Sequence, residues 1–183
     1  MIVFDANFLI YFLDPKIQDG VGSTPRIDHL VATIQKSGER IIVPTPALSE
    51  LLVRAGDAGP KYLEIIARSK FFRVAEFGTR AAVEAAALTR DAIAKGDKRG
   101  ATPGAEWAKI KFDRQVVAIA RTVGATTIYT NDNQLAVHAE AIGNRAIKPA
   151  DLPDPPATPQ LEMRLDPVEP EVIDSDDAED NDK

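Results

Sequence analysis

The sequence predicts an α/β protein, a three-layer α/β/α sandwich around a central parallel sheet. Three observations carry this. Five short β-rich runs alternate with longer stretches of helical periodicity. Those runs are nearly continuous in apolar residues, as strands covered on both faces require. Prolines and glycines stand where helices would begin and end.

Ile2 to Phe4 is the first strand, and Asn7 to Leu13 has the pattern of a helix. Pro25 opens a second helix that runs to Ser37, and Ile41 to Val43 follows as the second strand. The next two helices, Pro46 to Ala55 and Pro60 to Ser69, each start on a proline, whose missing N–H is harmless in a first turn. Phe71 to Ala75 is the third strand, and the periodic stretches Thr79 to Lys95 and Glu106 to Val123 come after it. Thr126 to Tyr129, a helix over Asp132 to Ile142, and Arg145 to Ile147 complete the pattern. Gly56, Gly96, Gly124 and Gly143 sit at the expected helix ends. In sheets of this kind ligands bind outside the carboxyl ends of the strands, near the switch in strand order.

The 183 residues are 44% hydrophobic and 27% charged, which excludes a wholly disordered chain and leaves room for one real core. There is no cysteine, so a disulfide scaffold, a thiol nucleophile and thiolate zinc sites are all excluded. His29 and His138 have no ligand spacing and read as structural or surface residues, so any metal would be held by oxygen. Charge divides the chain. Residues 1–150 hold 20 Lys and Arg against 16 Asp and Glu, a balance of +4, whereas residues 151–183 hold 2 against 12, a balance of −10. Six of the 13 prolines and no aromatic residue fall in that tail, a composition that cannot offset chain entropy by burial. The expected organisation is therefore a folded domain over 1–150 and a Pro-rich, acidic, disordered tail over 151–183. No basic stretch with an apolar core precedes Asp5, and no run of about 18 apolar residues exists, so the expectation is a cytoplasmic protein without membrane association.

Four acids stand where the predicted fold would use them. Asp5 follows the first strand in FDAN, at the carboxyl edge of the sheet, where capping the next helix is the plainer alternative. Asp132, in YTNDNQL, follows the fourth strand in the same manner, and Asn, Gln and Leu after it make good capping sequence. Asp113 lies three or four residues from Ile110, Val116 and Val117, inside an apolar helical stripe. An unpaired charge there needs a cation, a hydrogen-bond network or an opening to a cleft, and pairing with Arg114 or another cation is the structural alternative. Glu50, in TPALSELLVRA, points away from Leu48, Leu51 and Leu52, so periodicity makes it a solvated residue near a helix start. Four carboxylates at one sheet edge would repel one another. A hard divalent cation, Mg²⁺ or Mn²⁺, relieves the repulsion and supports chemistry at a phosphodiester.

These segments resemble the successive acidic motifs of PIN-domain ribonucleases, especially the VapC-like toxins of type II toxin-antitoxin systems. FDAN, Glu50 in ALSE, KFDRQVVAIAR and YTND carry the resemblance, which spans residues 1 to about 148. It implies a PIN-like fold and a Mg²⁺- or Mn²⁺-dependent endoribonuclease. Asp5, Glu50 and Asp113 would supply the acidic metal pocket, and Asp132 would complete it directly or through water. Asn7 and Thr130 would orient waters or carboxylates. The resemblance also implies a homodimer and a cognate antitoxin. A longer body and the acidic tail depart from the family pattern.

Basic residues offer a surface for RNA phosphates: Lys98 and Arg99 in the loop GDKRGATPG, and Lys109, Lys111 and Arg114 around Asp113. An ordinary solvated charge cluster is the alternative. Trp107 reads as a partly buried anchor for its helix, with base stacking as the alternative. Other functions use some of the same residues. A haloacid-dehalogenase-type phosphatase also begins its sheet with an Asp, but it wants a second acid two residues later, where Asn7 stands. A receiver-like signalling domain wants an acceptor Asp after the central strand, and Glu76 follows Phe71 to Ala75 instead. A catalytically inactive PIN-like binding module would leave the acids to structure or partner contact.

Overall fold

The computed structural model describes residues 1–14, 24–100 and 102–156. Ala101 of the GDKRGATPG loop and the expected tail from position 157 onward lie outside the described residues. The strands are β1 (Ile2–Phe4), β2 (Ile41–Pro44), β3 (Phe72–Ala75), β4 (Thr127–Tyr129) and β5 (Arg145–Ile147). The helices are α1 (Ala6–Leu13), α2 (Thr24–Ser37), α3 (Thr45–Ala55), α4 (Gly59–Arg68), α5 (Thr79–Ala94), α6 (Trp107–Thr122) and α7 (Asn133–Glu140). Each expected element is present, and the boundaries move by one or two residues.

All strand pairs are parallel, in the order β3-β2-β1-β4-β5. Ile2 stands opposite both Ile41 and Thr127, and Phe4 opposite Tyr129. A receiver-like domain has the order 2-1-3-4-5, so its topology does not match this sheet.

Strand periodicity divides the core in two. Ile2, Phe4, Ile41 and Val43 face one side, where Phe8 and Leu9 of α1, Ile27 and Ile34 of α2, Leu51 of α3 and Ile66 of α4 cover them. Phe4 gathers Phe8, Tyr129 and Phe12 around its ring, with centroids 4.7, 5.2 and 5.5 Å away. Val3, Ile42 and Ile128 face the other side, against Ala81 of α5, Val116, Val117 and Ala120 of α6, and Leu135 and Ala139 of α7. Each fully buried Leu, Ile or Phe contributes about 1.5–3 kcal/mol of transfer free energy, so both layers are needed for stability.

The sheet is not covered evenly. β1 and β2 are buried throughout, but Arg73 and Val74 of β3 and Arg145 of β5 are exposed, because an edge strand has a neighbour on one side only. Gly124, with φ of 69°, turns the chain from α6 into β4. That left-handed conformation strains any residue with a Cβ.

The packed body continues past position 150. Leu152 is buried in the first core, and Arg26 of α2 holds both the Ala150 carbonyl and the Asp154 carboxylate at 2.7 Å. No helix among the described residues is long and apolar enough to cross a membrane.

Candidate active site

β1 and β4 are neighbours at the point where the strand order reverses, so their carboxyl ends flank the crevice that such a sheet offers to ligands. The chain leaves β1 through Asp5 and β4 through Thr130 to Asp132. Helices α3 and α6 bring Glu50 and Asp113 to the same place. All four acids line one cleft of about 560 Å³, together with Lys109, Arg54, Val53 and Phe112.

Asp5 is 5% exposed and makes no capping bond to α1. Its Oδ2 instead accepts the hydroxyl of the fully buried Thr130 at 2.9 Å. Burial pushes the Asp5 carboxyl up to about 6; the Thr130 bond opposes this, and the charges of Glu50 and Asp132 add to it. Thr130 works in two directions, since its Oγ1 also accepts the Asp132 N–H at 2.9 Å.

Asp132 is both a cap and a cleft residue. Its Oδ1 accepts the N–H groups of Gln134 and Leu135 at the start of α7, while Oδ2 bonds the Lys109 ammonium. Burial alone would raise this carboxyl, but the bonds from Lys109 and from the backbone hold it below the usual range.

Asp113 is 4% exposed. Of the cations allowed as its alternative partners, Arg114 points elsewhere, and the one that meets Asp113 is Lys109, with Nζ 3.6 Å from Oδ1. The other oxygen, Oδ2, is buried with no hydrogen-bond partner. Burial again dominates, pushing this carboxyl up to about 6 against the opposing charge of Lys109. For Lys109 itself burial works downward, but its bond to Asp132 and the charges of Asp113, Asp132 and Asp5 raise it overall.

Glu50 is half-buried at the cleft rim, where Arg54 one turn later binds its Oε1. The same guanidinium donates to Asn7 Oδ1. Asn7 therefore acts on the site through Arg54, and it lines an adjoining cavity with Tyr11 and Tyr62.

Among the described residues no three acidic or imidazole side chains close into a ready metal cluster; Asp113 and Asp132 flank the Lys109 ammonium and Glu50 pairs with Arg54 instead. The donor set nevertheless fits a hard cation. It is all carboxylate oxygen, burial makes the charged form of Asp5 and Asp113 costly in a way a bound cation would relieve, and Asp113 holds an unpartnered buried oxygen.

The other basic residues do not join the cleft. Arg114 is 5% exposed and faces a second cavity between α5, α6 and α7, where it donates to Thr89 Oγ1 at 3.1 Å and the Lys98 carbonyl at 2.6 Å. Lys98 and Arg114 lie over the Trp107 ring, with 5.1 and 5.6 Å to its centroid, so Trp107 anchors the loop before α6. Arg99 donates to the Ala105 carbonyl within that loop. Lys111 is exposed on α6. His138 is buried beside Thr102, 3.1 Å from its hydroxyl. Sequence reasoning gave Arg54 no role and saw Lys109 only as a phosphate contact; the signal for both was the four-residue spacing to Glu50 and to Asp113.

No family model matches the chain, and no curated protein matches it. Solved structures do. DNA-bound VapBC from Salmonella typhimurium is similar at 18% identity and a TM-score of 0.53, over 81% of this chain and 97% of that one. VapBC2 from Rickettsia felis bound to a promoter DNA fragment matches at 14% identity and a TM-score of 0.55, over 81% and 98%. VapC20 of Mycobacterium tuberculosis, a toxin that cleaves the sarcin-ricin loop, matches at 16% identity and a TM-score of 0.53, over 79% and 96%. Agreement of this extent at such low identity is agreement of fold, and the fold of this chain is the PIN-like fold of the VapBC toxin structures.

Proposed function

We propose that the chain is a divalent-metal-dependent endoribonuclease, a VapC-like toxin, with its nuclease domain over residues 1–150, the packing of Leu152 and Asp154 carrying its end a few residues further, and an acidic tail beyond. The observation that carries the reading is Asp113: a carboxylate buried in a helix face, open to a cleft at the switch point, with one oxygen unpartnered. Asp5, Asp113 and Asp132 would hold Mg²⁺ or Mn²⁺, and Glu50 would complete the acidic pocket from α3. When bound, such an ion supplies an activated water and stabilises charge on the leaving oxygen. The chain's own residues do the rest. Thr130 fixes Asp5 and Asp132 relative to one another, Arg54 and Asn7 fix Glu50, and Lys109 and Lys111 offer positive charge to RNA phosphates. The relatives' names support an antitoxin partner, and we infer a homodimer acting in the cytoplasm from the same likeness.

Metal-dependent cleavage of a panel of structured and single-stranded RNAs tests this. Purified protein should cleave in Mg²⁺ or Mn²⁺, stop when a chelator is added, and lose activity in Asp5→Asn and Asp113→Asn with the fold retained. Near-normal turnover by either variant at saturating metal overturns the assignment.

One observation favours a second reading, an inactive binding module: Lys109 and Arg54 already neutralise acids of the cleft. Absence of cleavage, with RNA or protein binding intact in Asp5→Asn, would support it. The phosphatase alternative is weaker, because position 7 holds an amide that accepts from Arg54 where that chemistry wants an acid.

A further inference from the structure

We propose that Lys109 is the built-in counter-ion of the metal-free site, a tethered cation that occupies the place between Asp113 and Asp132 and must leave it for a divalent ion to bind. The inference rests on the metal-dependent reading and adds a control on that same site.

Four features support it. The ammonium bonds Asp132 Oδ2 and lies 3.6 Å from Asp113 Oδ1, joining the acid after β4 to the acid on α6. Among the described residues these are the salt bridges that Asp113 and Asp132 make, and Asp5 makes none. Lys109 is also anchored one helical turn before Asp113, so the cation is delivered by the same helix as the acid it neutralises. Its side chain is 38% exposed while that of Asp113 is 6% exposed, so the lysine has a route to solvent that the acid lacks.

The match is incomplete in a way that leaves room for exchange. One ammonium carries a single charge against the carboxylates of Asp5, Asp113 and Asp132, and Asp113 Oδ2 stays unpartnered with Lys109 in place. A divalent ion brings twice the charge and accepts more oxygens. Yet the protein must first give up the Lys109 contacts. The apparent affinity is then the intrinsic affinity reduced by the fraction of molecules with the lysine withdrawn.

Calorimetric titration of the full chain with Mn²⁺ tests this in the absence of RNA. Lys109→Met should bind Mn²⁺ about tenfold more tightly than the unaltered protein. Lys109→Arg, which keeps the charge and the reach, should bind no more tightly. Lys36→Met, a loss of the same charge at an exposed position of α2 that does not line the cleft, should shift affinity by less than about twofold, because solvent and salt screen an exposed charge. The Arg variant keeps the test open if the Met variant fails to fold. Equal or weaker Mn²⁺ binding by Lys109→Met, or a tenfold gain in Lys109→Arg, overturns the proposal while the metal-dependent reading stands. Failure of the unaltered protein and of every variant to bind Mn²⁺ overturns both.

Discussion

Thr130 donates its hydroxyl to Asp5 across 125 residues of sequence and accepts the Asp132 N–H with the same oxygen. One side chain thus ties the two sheet-edge acids into a fixed pair. Thr130→Val keeps the shape and removes both bonds, leaving a buried carboxylate oxygen and a backbone donor unsatisfied. The expected loss is about 1–3 kcal/mol in urea denaturation, with Thr130→Ser close to the unaltered protein. Equal stability of the Val variant would mean that the pair is held by packing alone.

Asp5 makes metal-free stability depend on pH. Its carboxyl is raised from 3.8 unfolded to about 6 folded, so the folded state binds the extra proton between those values. This contribution is fully present below about pH 4 and is lost as pH rises to about 6. Asp5→Asn should therefore gain stability relative to the unaltered protein across that window, measured by urea denaturation in chelator, and hold the gain above it. Saturating Mn²⁺ should reverse the order, because the ion binds the charged form.

Glu50 separates a site role from a rim ion pair. An exposed Glu50–Arg54 pair is worth about 0–1 kcal/mol, so Glu50→Gln should hardly move the unfolding midpoint. If Glu50 belongs to the acidic pocket, Mn²⁺ affinity should fall about tenfold or more in the same variant. Unchanged affinity returns Glu50 to the surface.

Arg114 should behave as a clamp. Arg114→Gln loses bonds from a charged group to Thr89 and to the Lys98 carbonyl, a loss of about 1.5–3 kcal/mol each way measured in thermal or urea unfolding. The salt dependence of RNA binding should be unchanged in this variant, whereas Lys111→Gln should lower the slope by about 1. The opposite pattern would place Arg114 on the RNA path.

The acidic tail is best removed after Pro156, because Leu152 is in the core and Asp154 pairs with Arg26. Residues 157–183 hold 10 acids and 2 bases. If they compete with RNA for the basic surface, the truncated protein should bind RNA more tightly at low salt, and the gain should vanish as salt screens the charge. Equal affinity from low to moderate ionic strength eliminates self-competition.

Local rules made most of the fold legible. Proline, glycine and apolar period placed every strand and α-helix of the described residues within two residues, because a doubly covered parallel sheet writes its burial directly into sequence. The edges were less legible: β3 reads as buried, but Arg73 and Val74 are exposed because no strand lies beyond them. Asp113 was legible as a carboxylate in an apolar stripe, and it is buried. Glu50 was not, since helical period reports the helix's own faces and says nothing of the cleft that α3 borders. Lys109 was visible only as charge: its spacing of four to Asp113 carried one contact, but its bond to Asp132 is decided by tertiary approach. Arg114 was misleading for a local reason: neighbours in sequence on a helix point about 100° apart, so the residue beside Asp113 serves the second cavity.

The placement of β4 beside β1 also sets a clock. The residue that holds the Asp5 carboxylate is made 125 residues after Asp5 itself. At about 5–20 residues per second, roughly 6–25 s separate the two. Until then a nascent chain carries Asp5 with no Thr130 to orient it and no Asp132 alongside. If the site cuts RNA, a chain still being made cannot assemble it until Thr130 and Asp132 have joined Asp5, so the order of the strands delays activity behind synthesis.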